Sequence, residues 1–370
     1  MLRFLLLLLF LGFTSCTKAD TPNANEASPE LETMIAQMLI IGFRGFEVSE
    51  TDWIVQDIRD RNIGGIILFD YDVPSRTSER NVKSPEQVRN LVSQLKSFST
   101  YPLMVSIDQE GGRVNRLKER FGFPVFVSHA AIGQRNDTTF TRQQADKIAT
   151  TLLDLGINVN FAPVVDVNTN PQNPVIGRIE RSFSADPNEV ITHAEIFSQR
   201  HLRKGIIPVL KHFPGHGSAW NDSHYGMADV TETWQPLELE PYRYMIETGQ
   251  APMIMSAHIF NEQWSTEHPA TLVYEVMTTM LRDELGFEGV LVSDDMQMGA
   301  ITEYYGLEQA VLLAVNAGMD MLIFANNSVY DPEISQKVIE IIKGYVASGD
   351  IKRERIEQAY ERIQRLKARF

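Results

Sequence analysis

"IIPVLKHF", residues 206–213, is an aliphatic run that ends in a cation and an imidazole. Runs of this length and composition read as strands buried on both faces. Gly205 stands immediately before it, and residues 188–204 ahead of that glycine carry a helical pattern. Seven further runs have the same character: "LIIGF" (39–43), "GGIILF" (64–69), "LMVSID" (103–108), "INVNFAPVVDV" (157–167), "MIMSAHI" (253–259), "GVLVSDD" (289–295) and "MDMLIFA" (319–325). Helical patterns separate them. Ala145, Ile148, Ala149, Leu152 and Leu153 repeat at helical spacing and Gly156 ends the pattern, while a helix over 307–317 stops at Gly318. Ile356, Ala359, Ile363, Leu366 and Phe370 mark an amphipathic closing helix. Eight strands alternating with helices predict a single α/β domain, a (β/α)8 TIM-like barrel. A doubly wound open sheet calls for a phosphate-cradling glycine loop after the first strand. "GFRGFE" (42–47) has neither the spacing nor the following helix.

The barrel is expected to occupy 31–370. The first residues differ in kind. "MLRFLLLLLFLGFTSC" has one early positive charge, Arg3, and an apolar run over 4–13 too short to span a bilayer comfortably. Residues 1–15 read as a signal peptide ending in a lipobox-like "FTSC", with Cys16, the only cysteine, as the lipidated residue. Phe13 stands where such a motif usually has Leu. The polar stretch 16–30 reads as a disordered tether. These features place the protein in a bacterial cell envelope, held to the membrane by its N-terminal lipid. Thr17 after the cysteine favours the outer membrane or the periplasmic face. A net charge of −14 excludes nucleic acid as a partner and is indifferent to a neutral sugar.

In such a barrel, function sits at the C-terminal ends of the strands. Asp108, Asp166, Lys211, His212, His258, Asp294 and Asp295 all occupy such ends. Just beyond 206–213, "KHFPGHGSAWNDSH" (211–224) holds three of the eight histidines and one aspartate. Three readings compete: a metal site, a sugar-cleaving site, or a histidine-rich surface loop. Pro214, Gly215 and Gly217 forbid the helix that would put His212 and His216 on one face, and no HExxH is present. Sugar cleavage needs a nucleophile and an acid/base around an oxocarbenium-like transition state. Asp294 at the end of a buried strand suits the first role. Strand alternation lets only one of Asp294 and Asp295 face the pocket. His224, oriented by Asp222 two residues before it, suits the second. His216 is expected to brace the glycine-rich turn.

"DQEGGRVNR", "FAPVVDVN", "NPVIG…RSF", "KHFPGHG…DSH" and "VLVSDDM", in this order, resemble the bacterial β-N-acetylhexosaminidases of glycoside hydrolase family 3 across 31–370. The resemblance implies a hydrolase with a retaining mechanism and no cofactor or metal. It implies Asp294 as nucleophile, His224 as acid/base and Asp222 as its partner on a mobile loop. It implies sugar contacts from Asp108, Arg116, Lys211 and His212, and from one arginine of "NPVIGRIERSF". Counting from Ser-Phe picks Arg181; counting from Gly177 comes near Arg178. The segment 70–87 is longer than the family's usual loop. The resulting expectation is an exo-β-N-acetylglucosaminidase acting on peptidoglycan fragments or chitin-like oligosaccharides. A phosphorylase of the same family and a non-catalytic sugar-binding lipoprotein are its rivals.

Overall fold

The structure is a computed structural model that describes residues 29–370; the signal segment, Cys16 and nearly all of the tether lie outside the described residues. Eight strands form the barrel: β1 (Leu39–Gly42), β2 (Gly65–Leu68), β3 (Met104–Ile107), β4 (Val159–Asn160), β5 (Ile207–Phe213), β6 (Met253–Ser256), β7 (Val290–Asp295) and β8 (Met321–Phe324). They stand in sequence order around the barrel, each parallel to its neighbours. Closure is made by β1, which pairs with β2 through Ile41↔Ile66 and with β8 through Ile40↔Ile323. A fully closed parallel barrel leaves no strand edge, and both strand faces are covered, which is why the runs are almost wholly aliphatic.

The glycine punctuation acts as the sequence implies. The helices Thr138–Leu155 and Leu307–Ala317 both end on a left-handed glycine, Gly156 at φ 77° and Gly318 at φ 118°. The closing helix Arg353–Lys367 buries Ile356, Ala359, Ile363 and Leu366. Each buried aliphatic side chain of this size contributes about 1.5–3 kcal/mol. Asp320, just ahead of β8, ties that helix to the barrel by accepting from Arg355 (2.6 Å), Arg362 (3.2 Å) and, from another helix, Arg282 (2.6 Å).

Three expectations are corrected. Phe370 lies beyond the closing helix and is exposed. The run 157–167 is not one strand: regular pairing covers Val159–Asn160, and Pro163, which has no N–H to donate, interrupts it before a single parallel bridge, Val164↔Lys211. The run 253–259 is also divided, since Ile259–Phe260 leaves the barrel to pair with Ala228–Asp229. In the long segment after β2, Asp72 and Thr77 form an antiparallel bridge. The fully buried Arg80 then binds Asp72 and the carbonyls of Phe43, Ala325 and Asn326, stitching the segment to the ends of β1 and β8.

Candidate active site

The C-terminal strand ends converge on a cavity of about 420 Å³. A larger groove of about 1060 Å³ lies at the opposite end, against the closing helix. Arg282, Arg355 and Arg362 on its wall are committed to Asp320, whereas the smaller cavity collects the strand-end charges. Asp108, Arg116, Arg181, Lys211, His212, Asp222, His224 and Asp294 all line it. Val73, from the long segment after β2, also reaches its wall.

One side of the cavity is a chain of alternating charges. Lys211 Nζ donates to Asp108 Oδ1 (2.8 Å) and pairs with Glu110 Oε1 (2.7 Å). Arg181 grips Glu110 with two hydrogen bonds, 2.9 and 2.7 Å. Arg116 donates to Asp108 Oδ2 (3.2 Å). Burial opposes ionisation of Asp108 and Glu110, but the cations around them prevail and hold both below the usual carboxylate range. The result is a rigid set of fixed charges suited to orienting hydroxyl groups. Arg116 Nε is buried with no partner among the described residues, a donor left for a ligand.

His212 has its tautomer fixed from both sides. Arg181 has only protons to offer, so its 3.1 Å contact makes His212 Nε2 an acceptor. Nδ1 then carries the hydrogen and donates to Asp166 Oδ2 (2.7 Å). Burial, helped by Arg181 and Lys211, pushes this ring well below the ordinary histidine range. His212 is therefore neutral. Asp166 also accepts the backbone N–H of His216 at 2.8 Å.

At the end of β7 the two aspartates differ in environment rather than in facing. A register shift between Val292 and Asp295 breaks simple alternation, and both carboxylates line the cavity, which corrects the one-face expectation. Asp295 accepts from the backbone N–H of Ala325 (3.0 Å) and Gln297 (3.1 Å). Burial, reinforced by the Asp294 charge, still raises it to about 6. Desolvation works against Asp294, which is half-buried, but His258 and His224 beside it and the Asp295 N–H that it accepts at 2.8 Å outweigh that cost and hold it below the ordinary range. Of the pair, Asp294 is the stronger acid and the last to take up a proton as pH falls.

His224 sits on the loop between β5 and residues 228–229. Its Nδ1 is 2.7 Å from Asp222 Oδ1, which also accepts the His224 backbone N–H at 2.9 Å. Partial desolvation at the cavity mouth works against the imidazolium, but the bond to Asp222 and the Asp294 charge prevail, so the ring titrates above the ordinary value. With Nδ1 spent on Asp222, Nε2 is the nitrogen left to handle a proton.

Arg181 reaches the cavity, while Arg178 lies outside it against Gln172 (3.2 Å). The ring of His216 does not brace the glycine turn; Glu238 does, accepting from the Gly217 N–H at 3.0 Å. Trp220 is exposed, and Phe213 is buried within β5 rather than in a lid. Glu110 escaped the sequence reading although it stands inside "DQEGGRVNR". Its only signal there is the Gly111-Gly112 turn, which folds 109–111 back on 114–115. Among the described residues, no set of three His, Cys, Asp or Glu side chains is arranged to hold a metal ion.

Residues 30–366 match the family model described as "Glycosyl hydrolase family 3 N terminal domain". The chain is 33% identical over 332 residues to the Beta-hexosaminidase A of Pseudoalteromonas piscicida, covering 84% of this chain and 54% of that protein. It is 34% identical over 301 residues to the Beta-hexosaminidase of Shewanella frigidimarina, covering 79% and 82%. A solved family 3 β-N-acetylglucosaminidase from Paenibacillus sp. superposes with a TM-score of 0.84 at 34% identity, over 92% of this chain and 63% of that one. The chain thus spans about half of the first relative and under two thirds of the solved chain, but most of the second relative.

Proposed function

The chain belongs to glycosyl hydrolase family 3, and from that premise we propose that it is a retaining exo-β-N-acetylglucosaminidase releasing terminal N-acetylglucosamine from peptidoglycan fragments or chitin-like oligosaccharides. The relatives named as hexosaminidases support the substrate class. The observation that carries the mechanism is the contrast between Asp294, held ionised at the end of β7, and His224, biased toward its protonated form on the loop.

A carboxylate oxygen of Asp294 attacks the anomeric carbon as His224 Nε2–H gives its proton to the departing glycosidic oxygen. The C–O bond to the leaving sugar breaks and a glycosyl-Asp294 ester forms. His224, now neutral, takes a proton from water as that water attacks the same carbon, and Asp294 leaves as a carboxylate. Asp222 holds the ring by Nδ1 through both steps. Asp108, Arg116, Lys211 and Arg181 orient the sugar hydroxyls; His212, with both nitrogens engaged, acts on the sugar through Arg181, whose guanidinium it holds in place. Cys16 carries lipid and holds the enzyme at the bacterial envelope, on the outer membrane or its periplasmic face.

The test is a 5-fluoro N-acetylglucosaminyl substrate, followed by peptide mapping and by NMR of the first product anomer. Label on Asp294, with retained configuration, is expected. Label on Asp295, or an inverted product, overturns the mechanism. Release of N-acetylglucosaminyl phosphate rather than free sugar when phosphate is added makes the enzyme a phosphorylase. Membrane retention of a Cys16→Ala protein refutes the anchor.

A further inference from the structure

The loop that bears the acid/base faces water along most of its length. The His224 side chain is 55% exposed, and Trp220, Asn221 and Tyr225 are exposed as well. Ser223, between Asp222 and His224, is the one buried residue from Trp220 to Met227, at 3% exposure. Its Oγ lies 3.2 Å from Nε2 of His216, itself buried. The backbone on either side is held as well. Ser223 O accepts from Ala300 N–H (3.2 Å) and His224 O from Gly299 N–H (3.1 Å).

We propose that Ser223 is a positioning residue: seated on His216 and on the Gly299 and Ala300 amides, it sets the place of His224 relative to Asp294. This rests on the acid/base reading of His224. The two anchors explain why. His216 is fixed through its N–H by Asp166, the same carboxylate that orients His212 against Arg181, so one anchor belongs to the sugar-binding wall. Gly299 and Ala300 open the short helix Gly299–Thr302, five and six residues after Asp294, so the other anchor belongs to the nucleophile's own segment. Among the described residues, Ser223 supplies the only side-chain hydrogen bond from residues 220–227 to a group outside that segment. A hydroxyl suits this seat because it donates or accepts, whichever tautomer His216 holds. The Gly299 contact is close: a Cβ there would meet His224 O at 2.9 Å and the Tyr225 carbonyl carbon at 3.0 Å. A side chain at 299 would therefore lift the loop without touching Ser223 or His216.

The experiment compares kcat/KM over aryl N-acetylglucosaminides of graded leaving-group acidity and a β-linked disaccharide. The variants are Ser223→Ala, His216→Leu, His216→Gln, Gly299→Ala, His224→Ala and Ser223→Ala with His224→Ala. Loss of one seating hydrogen bond is expected to lower disaccharide cleavage about tenfold. The loss should shrink steadily as the leaving group becomes more acidic, because a good leaving group needs no proton. Gly299→Ala should show the same slope from the other side of the loop. His216→Gln, whose amide reaches the Nε2 position, should recover most of what His216→Leu loses. The double variant should be no slower than His224→Ala alone, since a misplaced ring cannot be missed twice. If His224→Ala itself lacks leaving-group dependence, the acid/base reading and this inference fall together. If His224→Ala shows it but Ser223→Ala slows every substrate alike or none, or the double variant multiplies the losses, the inference alone is overturned.

Discussion

Lys367, in the last turn of the closing helix, is 1% exposed, and its Nζ donates to one acceptor, Gln37 Oε1, at 2.8 Å. Gln37 also accepts from Gln364 Nε2 at 3.0 Å and donates to Asn62 O at 2.6 Å. Among the described residues no carboxylate compensates the ammonium, and burial lowers it from 10.5 to about 7. The folded-state value lies below the unfolded one. Between about 7 and 10.5 the unfolded chain therefore holds a proton that the folded chain has released, and stability rises with pH through that window. Below it the folded protein carries the full cost of a buried charge, about 5 kcal/mol at ~1.4 kcal/mol per pH unit. Lys367→Met keeps the chain length, removes the charge and forfeits one hydrogen bond worth about 1 kcal/mol. The variant is thus expected to be about 4 kcal/mol more stable than wild type at pH 6, and about 1 kcal/mol less stable at pH 10.5. Urea unfolding of both proteins at pH 6, 8 and 10.5 measures the difference, in which groups common to the two cancel. A variant less stable by the same amount at every pH refutes the buried-charge argument.

Three other buried groups, His129, His201 and Arg80, give sharp expectations. Burial pushes His129 and His201 down to about 4. The unfolded chain takes up these protons as pH falls below 6.5 while the fold refuses them until about 4, so stability present at neutral pH is lost across that window, about 3 kcal/mol per ring. His201→Gln should flatten the pH dependence of the unfolding free energy between pH 6 and 4.5 by up to one proton; an unchanged slope contradicts the assignment. Arg80, with no exposed surface, pairs with the equally buried Asp72. Arg80→Met, which leaves that carboxylate the N–H and hydroxyl of Ser75 but, among the described residues, Arg44 as its one cation, should cost about 3–5 kcal/mol and lower the melting temperature by about 5 °C. A loss under 1 kcal/mol, read by calorimetry, would mean that Arg44 alone suffices.

The barrel was legible because its determinants are local. A strand buried on both faces must be aliphatic, and a helix that turns back into a strand must end on a residue tolerant of positive φ, as at Gly156 and Gly318. The strand-end charges were legible for the same reason: a buried strand has no other use for Asp108 or Lys211. What stayed hidden depends on groups brought together from distant segments. Glu110 is an ordinary acid until Lys211 and Arg181, 101 and 71 residues away, close on it. Asp166 was visible as a strand end, but its task of holding His212 and His216 at once depends on where β5 turns. Alternation misjudged Asp295 because β7 shifts register against β8 between Val292 and Asp295, a feature of the pairing that alternation along one strand does not carry. Ser223 stands inside the "DSH" motif with no signal of its own, since a serine's burial cannot be read from its neighbours. The division has a physical basis in the reaction. In the proposed reaction the nucleophile must not move, and Asp294 sits on β7, a strand whose identity the aliphatic code fixes; Lys211 sits likewise on β5, while Arg116 and Arg181 reach the cavity from loops. The proton carrier must approach and withdraw from an oxygen that departs, so it sits on a loop. A loop has no periodic code, and its position is written only in the few contacts that seat it.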